Sequence, residues 1–508
     1  MLMVPIIPIK DYQKLVEMNG DAGGGLVQAT FGLASRFQYL PSTATPNIQC
    51  ANFTVPLDWN NRHEGTITLG LNKLPASDPE NRIGSVIYTP SGPGGVATQS
   101  IESAAAAEAL GLQVFTSGVR KHFDLIGLDP RGVGKSTPVR CNATLYNERV
   151  SIFPTDASSF EKLVEHNKAL GKSCLEMTGH LLAHIDTVSV ARDMEAVRVA
   201  LNDGKLNFLG ESYGSQIGAT YAEMYPHSIR AMALDGIVDH TQDKTSSLVG
   251  ETWTYENELT RFAEWCANTT PCALQSVDVL ALFDNLTTTA SKTPIPAPGC
   301  VKSGLCRADV NGEELRLNVQ SQLTIKDSPK LAALDYSLWA DLATALLLAS
   351  RANATALSTT IAVSDPDAQF PSLAVGCLDW LRPSTLADLT YKAALTRLIA
   401  PHTRGHTQSY LYQSAYIGWP IPVTNPQQYL RFSGNGTSIP ILLAQSLHDP
   451  ETSYIWANSV YEQIPGAVLV TRGGDGHTSY ILGGETARAM DEYLVDGVLP
   501  ERGTVFET

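Results

Sequence analysis

Short apolar runs recur along the first half of the chain, and each leads into a turn rich in glycine, proline or polar residues. The runs are SVIYTP at 85–90, FDLIGL at 123–128, LNFLGES at 206–212 and SIRAMALDGIVD at 228–239. Unbroken apolar runs of this length are typical of strands that are buried on both faces. Because Ala-rich helical stretches separate them, the pattern predicts a mostly parallel central sheet with helices on both faces, an α/β fold.

The pattern changes along the chain, and the changes predict four segments. Residues 1–45 contain GDAGGG and lack strong periodicity, so we expect an N-terminal leader. Strand-like sequence fills 46–240, helical periodicity with many tryptophans and tyrosines fills 241–430, and strand-like sequence returns in 431–508. We therefore predict a core in two parts, into which the third segment inserts a mainly helical cap.

One serine lies at the junction of a predicted strand and a predicted helix. The sequence Gly210-Glu211-Ser212-Tyr213-Gly214 follows an apolar run and precedes the helical stretch QIGATYAEMYP. A serine on such a tight turn is held in a strained backbone conformation that exposes its hydroxyl, and the glycines avoid collisions with the strand and the helix. Ser212 is therefore the predicted nucleophile, and a purely structural turn is the alternative.

A serine hydroxyl needs a base and an orienting acid before it can attack a carbonyl. In α/β-hydrolases these follow the serine in the order acid, then histidine. His477 lies in the Gly-rich loop GGDGHTSY after the strand-like AVLVTR, and Asp449 follows IPILLAQSLH. We predict that His477 is the base and Asp449 the acid. The rivals are His448, His402 and His406 for the base and Asp235, Asp239 and Asp475 for the acid.

A second Gly-rich turn offers an oxyanion hole. Ser91-Gly92-Pro93-Gly94-Gly95 comes directly after the predicted strand SVIYTP. Glycines at such a place let the backbone approach a substrate, so that an N–H group can point at a developing oxyanion. We predict that the N–H of Gly94 or Gly95 acts together with the N–H of Tyr213.

The turn DPRGVGKS contains part of a phosphate-loop motif. That motif requires a glycine where this chain has Asp129, so nucleotide binding is not expected. The turn follows the strand FDLIGL, and Arg131 within it is predicted to brace the site rather than to contact substrate.

Composition and charge narrow the classes of partner. The chain has 508 residues, of which 43% are hydrophobic, and its net charge is −15. An acidic chain without clustered Lys and Arg is not expected to bind nucleic acid. There is no apolar stretch of 18 residues, so we expect no membrane span. No metal or cofactor is implied, because the cysteines form no C-x-x-C pair and the serine mechanism needs none.

Cysteines and glycosylation sequons point to an oxidising compartment. Eight cysteines are present, and Cys266/Cys272 and Cys300/Cys306 could each close a small disulfide loop. The start MLMVPIIPIK, however, has no positive charge before its apolar run and contains two prolines, so it does not resemble a signal peptide. A secretory route is predicted, with a cytoplasmic location as the alternative. The sequons begin at Asn52, Asn142, Asn268, Asn285, Asn353 and Asn435.

Four segments, taken in this order, resemble the tripeptidyl- and prolyl-aminopeptidase branch of the α/β-hydrolases. They are SGPGG, DLIGLDPRGVGKS, GESYG with the following YAEMYP and LDGIVD, and LLAQSLHDPET with GGDGHTS. The stretch AVGCLDW around Cys377 extends the likeness into the predicted cap. The resemblance implies an α/β-hydrolase fold, a catalytic triad of Ser212, Asp449 and His477, and a helical lid over the cleft.

The predicted reaction is acyl transfer to water through an acyl-enzyme. By the resemblance, the substrate is a peptide with a free N-terminus, so an aminopeptidase releasing short peptides or single residues is the first choice. Glu211, or a cap carboxylate such as Glu256 or Glu258, would bind the substrate ammonium, and Trp419 is expected near the substrate. The alternatives are a hydrolase of a small-molecule ester, lactone or amide in a biosynthetic pathway, and a non-catalytic binding scaffold. The oligomeric state is not predicted.

Overall fold

The part of the chain that the structure describes contains most of the predicted core and cap. The computed structural model describes residues 47–270, 272–326, 338–364, 366–381, 384–432 and 439–507, with one further short strand at 40–41. The rest of the predicted leader and the sequon at Asn435 lie outside the described residues.

Within the described residues there is one large sheet and one short ribbon. The strands are β1 Leu40–Pro41, β2 Gln49–Pro56, β3 Thr66–Leu74, β4 Gly84–Thr89, β5 Phe123–Leu128, β6 Leu206–Glu211, β7 Ile229–Asp235, β8 Ile295–Pro296, β9 Asp309–Val310, β10 Leu442–His448, β11 Val468–Asp475 and β12 Val505–Phe506. Strands β8 and β9 pair only with each other, and the large sheet has the order β1-β2-β3-β5-β4-β6-β7-β10-β11-β12.

The large sheet is antiparallel at one side and parallel elsewhere. The pairs β1–β2, β2–β3 and β3–β5 are antiparallel, and every pair from β5–β4 onward is parallel. Parallel strands bring their carboxyl ends to the same edge of a sheet, which is where open α/β sheets place their sites. The turns after β4, β6, β7, β10 and β11 therefore meet at one edge.

Helices cover both faces of the sheet and fill the interval between β7 and β10. They are α1 Ala97–Ala109, α2 Ser117–His122, α3 Ala143–Tyr146, α4 Ala157–Thr178, α5 Thr187–Leu201, α6 Tyr213–Met224, α7 Lys244–Asn268, α8 Val279–Lys292, α9 Pro298–Ser303, α10 Gly312–Gln322, α11 Leu338–Ala349, α12 Phe370–Asp379, α13 Leu386–Ile399, α14 Gln408–Ala415, α15 Tyr454–Gln463 and α16 Gly484–Asp496.

Two hydrophobic clusters lie on opposite faces of the sheet. Phe208 of β6 packs in one cluster with Ile217 of α6, and its neighbour Leu209 packs in the other with Met490 of α16. Neighbouring residues of a strand point to opposite faces, so both faces of β6 are buried. This burial explains why the strands read as unbroken apolar runs, and the architecture is the one that the pattern predicted.

We call helices α7 to α14 the cap helices, and α7, α8, α10 and α11 share an apolar core that is separate from the two clusters of the sheet. Phe262, Phe283 and Trp339 are fully buried in it. Helix α4 also contacts this region, because the Asn167 side chain donates hydrogen bonds to the carbonyls of Ser414 (2.9 Å) and Ile417 (3.0 Å). The sequence did not single out α4 as a neighbour of the cap. The boundaries of the cap at 241 and 430 stay a prediction.

Three disulfides join cysteines of the described residues. Two of them close the short loops that the spacing suggested, and the third joins two cysteines that are 33 positions apart. The pairs are Cys266–Cys272, Cys300–Cys306 and Cys141–Cys174. Searching the described helices for one long and apolar enough to cross a bilayer finds none.

Candidate active site

Ser212 occupies the turn between β6 and α6 in a conformation that side chains rarely adopt. Its φ is 56° and its ψ is −119°, and its N–H donates to the carbonyl of Asp235 at 2.8 Å. A Cβ on Gly214 would lie 2.5 Å from the Thr89 carbonyl oxygen, which is closer than real contacts allow. The turn is thus as tight and as strained as the motif predicts.

Asp449 and His477 meet at the same edge of the sheet. Asp449 follows β10, His477 follows β11, and the Nδ1 atom of His477 lies 2.9 Å from Asp449 Oδ1 and 2.8 Å from Oδ2. The carboxylate is fully buried and also accepts the N–H groups of Glu451 and Thr452, each at 2.8 Å. Burial raises the pKa of Asp449, but the His477 charge and these donors more than offset this and hold the pKa below its usual range.

The imidazole of His477 is held between two carboxylates. Burial alone would lower the pKa of His477, but the charges of Asp449 and Glu451, with a smaller effect from Asp235, raise it to about 9. The Nε2 atom has no hydrogen-bond partner among the described residues, and the Oε2 atom of Glu451 lies 3.4 Å from it. A proton on Nδ1 directed at Asp449 leaves Nε2 as the atom able to accept a proton.

The imidazole borders the turn that supports the serine. A Cβ on Gly236 would lie 3.3 Å from His477 Cε1, and the preceding residue, Asp235, accepts the Ser212 N–H. Among the described residues no hydrogen bond joins the Ser212 hydroxyl to His477 Nε2. Catalytic hydrogen bonds are commonly long or misaligned before substrate binds and then tighten.

The candidate oxyanion loop, residues 91–95, packs closely against the start of α6, next to Ser212. At Gly92 a Cβ would lie 2.8 Å from the nitrogen of Gly94, 3.0 Å from that of Gly95 and 3.5 Å from the Tyr213 ring. At Gly95 it would lie 1.9 Å from the Ser91 carbonyl oxygen, so only glycine fits there. The glycines thus keep backbone nitrogens close to the start of α6, and their role as oxyanion donors remains a prediction.

The DPRG turn, residues 129–132, contacts the helix that follows this loop. The Asp129 carboxylate accepts hydrogen bonds from the Thr98 N–H at 2.9 Å and from the Thr98 hydroxyl at 2.8 Å. These bonds fix the first turn of α1, directly after the candidate oxyanion loop. Arg131 is fully buried and pairs with Asp193 at 2.7 Å. Both residues act on structure, in keeping with the bracing role expected for Arg131.

The rival acids have other partners. Asp475 forms ion pairs with the cap residues Arg261 and Lys326. Asp235 accepts two backbone N–H groups of the loop that follows His477, at 2.6 and 2.7 Å. Asp239 accepts the N–H and hydroxyl of Thr241. These carboxylates shape loops, whereas Asp449 contacts the imidazole.

The rival histidines also face other partners. Each Nδ1 atom lies at hydrogen-bond distance from a group that is not part of the Ser212 turn. The partners are Asn257 for His448 (3.0 Å), Asp284 for His402 (2.9 Å) and the Thr403 carbonyl for His406 (2.9 Å). Burial lowers the pKa of His406 to about 3, so it stays neutral.

Glu211 and Trp419, the residues expected near the substrate, pack against other parts of the protein. Glu211 is 2% exposed and accepts a hydrogen bond from the Tyr88 hydroxyl, on the same face of the sheet as the buried Leu209. Because neighbouring residues of a strand point to opposite faces, the Glu211 side chain points into this packed layer. The ring of Trp419 lies against Gly171 of α4. The contact of these two residues with a substrate stays a prediction.

The two cap carboxylates proposed for the ammonium are engaged with the protein backbone. Glu256 accepts the N–H groups of His402 (3.1 Å) and Thr403 (2.9 Å). Glu258 is fully buried and accepts the N–H of Gly476 at 2.9 Å, directly before the histidine. Burial and the nearby Asp475 raise the pKa of Glu258 well above its usual value. Glu258 thus positions the His477 loop.

A buried polar face of α7 contacts the loops that carry Asp449 and His477, and sequence reasoning missed it. Its residues are Glu251, Thr254 and Glu258, spaced three and four apart. The Thr254 hydroxyl donates to the Asp449 carbonyl at 2.5 Å, and Glu251 accepts the N–H of Ser409 at 2.7 Å. Polar residues at helical spacing on one face were the available signal. Glu451, two positions after the acid, was also missed.

Comparison with known proteins agrees with this geometry. The family described as alpha/beta hydrolase fold matches residues 90–289, and the family described as TAP-like protein matches residues 402–506. The fold and the site together define a serine hydrolase. The chain has the α/β-hydrolase fold and is similar to the TAP-like proteins, which confirms the predicted resemblance, fold and enzyme class.

Three relatives span this chain to different extents. Serine protease Hip1 of Mycobacterium tuberculosis (strain ATCC 25618 / H37Rv) is 28% identical, over 89% of this chain and 86% of that protein. Tripeptidyl aminopeptidase of Streptomyces lividans is 32% identical, over 39% of this chain and 36% of that protein. Carboxylesterase B of Mycobacterium tuberculosis (strain CDC 1551 / Oshkosh) is 28% identical, over 89% of this chain and 85% of that protein.

Proposed function

We propose that the chain is a serine aminopeptidase that releases short peptides or single residues from free N-termini. The Ser212 hydroxyl attacks the scissile carbonyl while His477 Nε2 takes its proton and then passes it to the leaving amine. Asp449 holds the Nδ1 proton and stabilises the imidazolium. The N–H groups of Gly94 or Gly95 and of Tyr213 would stabilise the tetrahedral oxyanion.

The observation that carries this proposal is the contact of Asp449 with His477 Nδ1 at the sheet edge that also carries the strained serine turn. A buried carboxylate on one imidazole nitrogen leaves the other directed at the reaction. The peptide substrate is supported by relatives named as a serine protease and a tripeptidyl aminopeptidase.

An ester is the second candidate substrate, because one relative over most of the chain is named a carboxylesterase. A panel of tripeptidyl and single-residue fluorogenic amides with free N-termini, the same amides N-acetylated, and simple acyl esters separates the candidates. We expect turnover of free-amine amides by wild type and none by Ser212→Ala, with an exposed serine variant, Ser158→Ala, unaffected. Turnover of esters alone would contradict the peptidase assignment.

We also propose that the protein follows a secretory route and carries N-linked glycans. Three disulfides support an oxidising compartment. Four of the sequon asparagines, Asn52, Asn142, Asn268 and Asn285, are exposed. The intact mass of the protein from its native source, before and after N-glycosidase treatment, tests the glycans. An unchanged mass would contradict their presence.

A further inference from the structure

Asp379 is a fully buried acidic residue at the end of the cap helix α12, and the proposed mechanism does not use it. Its Oδ1 atom accepts the N–H of Thr187 at 2.9 Å and the side-chain amide of Asn425 at 2.9 Å. Its Oδ2 atom accepts the hydroxyl of Thr187. Burial and the charge of Asp186 raise the pKa of Asp379 to about 7. A carboxylate in such surroundings is costly to bury, and these donors offset a cost that an apolar residue would avoid.

The Thr187 hydroxyl links this carboxylate to the residue that follows the proposed nucleophile. A hydroxyl has one proton, and because Thr187 donates it to Asp379, the Thr187 oxygen accepts the hydroxyl of Tyr213, which lies 2.6 Å away. Gln216, three positions further along α6, has its side-chain nitrogen 3.3 Å from the Thr187 oxygen and 3.4 Å from Asp379 Oδ2. Asp379 thus holds, through Thr187, the first turn of the helix that begins at Tyr213.

The ring of Tyr213 also contacts the candidate oxyanion loop. A Cβ on Gly92 would lie 3.5 Å from this ring, which is ordinary van der Waals contact, and Tyr213 is buried. The N–H of Tyr213 is a proposed oxyanion donor, and its direction depends on the orientation of this first residue of α6. A side chain that is held both at its ring and at its hydroxyl therefore fixes the direction of the N–H group.

The other end of α12 meets the same loop. A Cβ on Gly94 would lie 3.0 Å from the backbone nitrogen of Ser372, which is in the first turn of α12. Helix α12 therefore contacts the loop that carries one proposed oxyanion donor, and its last residue, Asp379, is tied to the helix that carries the other. One helix thus sets the spacing between both proposed donors.

We propose that Asp379 is a positioning residue for the oxyanion hole, which acts through Thr187 on the N–H of Tyr213. This inference rests on the proposed function and names what orders its oxyanion donors. When the Ser212 oxygen bonds to the substrate carbon, the π electrons of the C=O bond move to the carbonyl oxygen and the serine proton goes to His477 Nε2. A donor that is already in place needs no reorganisation at that step, so the network acts on the transition state more than on bound substrate.

The test pairs a substrate with an inhibitor that forms the same kind of oxyanion. The substrate is p-nitrophenyl butyrate, and the inhibitor is propyl trifluoromethyl ketone, to whose carbonyl carbon an activated serine adds to give a tetrahedral hemiketal. The ratio kcat/KM and the inhibition constant Ki are measured for wild type, Asp379→Asn, Thr187→Val, the hydroxyl-retaining Thr187→Ser and Tyr213→Phe. Active sites are counted by fluorophosphonate titration, and melting temperatures are recorded. Asp284→Asn, which removes a cap carboxylate that contacts His402 instead, is the control.

We expect Asp379→Asn and Thr187→Val to lower kcat/KM about tenfold or more and to raise Ki by the same factor, because both quantities report the oxyanion. Tyr213→Phe should change both in the same direction, while Thr187→Ser and the control should resemble wild type. Combining Tyr213→Phe with Thr187→Val should cost no more than the larger single loss, since both changes break one chain of contacts. Fewer active sites or a lower melting temperature with an unchanged Ki would show a purely structural role and overturn the inference.

The same measurements separate this inference from the proposed function. If the ketone inhibits wild type, Asp379→Asn and Thr187→Val with one Ki, the serine mechanism stands and the positioning role fails. If the ketone does not inhibit wild type, or binds Ser212→Ala equally well, the proposed function fails and the inference fails with it. Thr187→Val keeps the shape of the side chain, so it tests the same link if Asp379→Asn does not fold.

Discussion

In the proposed mechanism, the contact between Asp449 and His477 determines which imidazole nitrogen reacts. The carboxylate lies 2.8 Å from Nδ1 and is held in place by two backbone N–H groups, so the ring has little freedom to rotate or to exchange tautomers. Because both carboxylate oxygens of Asp449 have fixed partners, the orientation of the His477 ring depends on Asp449.

Asp449→Asn should therefore lower kcat by about 10³- to 10⁴-fold, because an amide favours the wrong tautomer of the histidine. Steady-state kinetics on the preferred substrate measures the loss, and circular dichroism checks the fold. The matched control is Asp475→Asn, a rival acid whose carboxylate pairs with Arg261 and Lys326 instead. If the two variants lost the same activity, the assignment of Asp449 would be wrong.

The two carboxylates around His477 also predict an unusual pH dependence. The pKa of His477 is raised to about 9, and only the neutral imidazole can act as a base. The second-order rate of fluorophosphonate labelling should therefore rise with pH, with a midpoint near pH 9, and level off above it. Labelling avoids titration of a substrate amine.

Removing one of these charges should shift that midpoint. Glu451→Gln should move it to lower pH, because one of the charges that favour the protonated imidazole is gone. Glu485→Gln, which removes an exposed glutamate that pairs with Arg488 on α16, should leave the midpoint where it is in wild type. A midpoint that Glu451→Gln does not move would contradict the described position of Glu451.

The sequence allows the position of a residue to be predicted when the residue directly follows a strand of the parallel sheet. Ser212, Asp449 and His477 each follow a buried strand, and parallel strands bring such positions to one edge of the sheet. Glu211 shows the limit, because its neighbours in sequence are those of the serine but strand alternation turns it into the opposite layer. Glu451 depends on the folded position of His477, which no local pattern reveals.

At the scale of secondary-structure elements, the turn between β6 and α6 and the helix α7 define the site. The turn places the serine, and α7 ties the acid loop and the histidine loop to the cap through Thr254 and Glu258. Because both loops are fixed to one helix, a change in the position of α7 would move acid and base together.

Gly214→Ala should destabilise the elbow. The new methyl group would lie 2.5 Å from the Thr89 carbonyl oxygen, a backbone atom that cannot move alone, so we expect a loss of about 2–4 kcal/mol of unfolding free energy together with activity. Denaturant unfolding and labelling measure the two effects. At Gly84 the same change meets its nearest atom at 3.7 Å, so Gly84→Ala should be mild. Equal effects at both sites would contradict the described turn.

The strands were easier to predict than the helical contacts. Burial on both faces makes each parallel strand a short apolar run, and this signal is local. The contact of α4 with Ser414 and the polar face of α7 arise between segments far apart in sequence. Their residues are polar and look solvent-exposed until the partner helix is known, so composition alone does not reveal them.

At the scale of the whole molecule, three disulfides stabilise the fold to different degrees. The bridge between Cys141 and Cys174 spans 33 positions, while the other two span six each. In the chain-entropy description a longer closed loop restricts the unfolded chain more. The long bridge should therefore contribute most.

Replacing both Cys141 and Cys174 by alanine should cost about 3–4 kcal/mol of unfolding free energy, against about 2 kcal/mol for the pair Cys300 and Cys306. Urea unfolding of the two double variants and of wild type measures the difference. A larger loss from the short loop than from the long one would contradict the described pairing.

The central claim is that Ser212 is the nucleophile of a triad assembled at one edge of the sheet. A fluorophosphonate forms a stable bond only with a serine that is activated by its base, so labelling followed by peptide mapping tests the claim most directly. We predict a single modified site at Ser212, abolished in Ser212→Ala and in a His477→Ala variant that remains folded, and retained in Ser158→Ala. Labelling at another serine, or undiminished labelling of Ser212→Ala, would contradict the account.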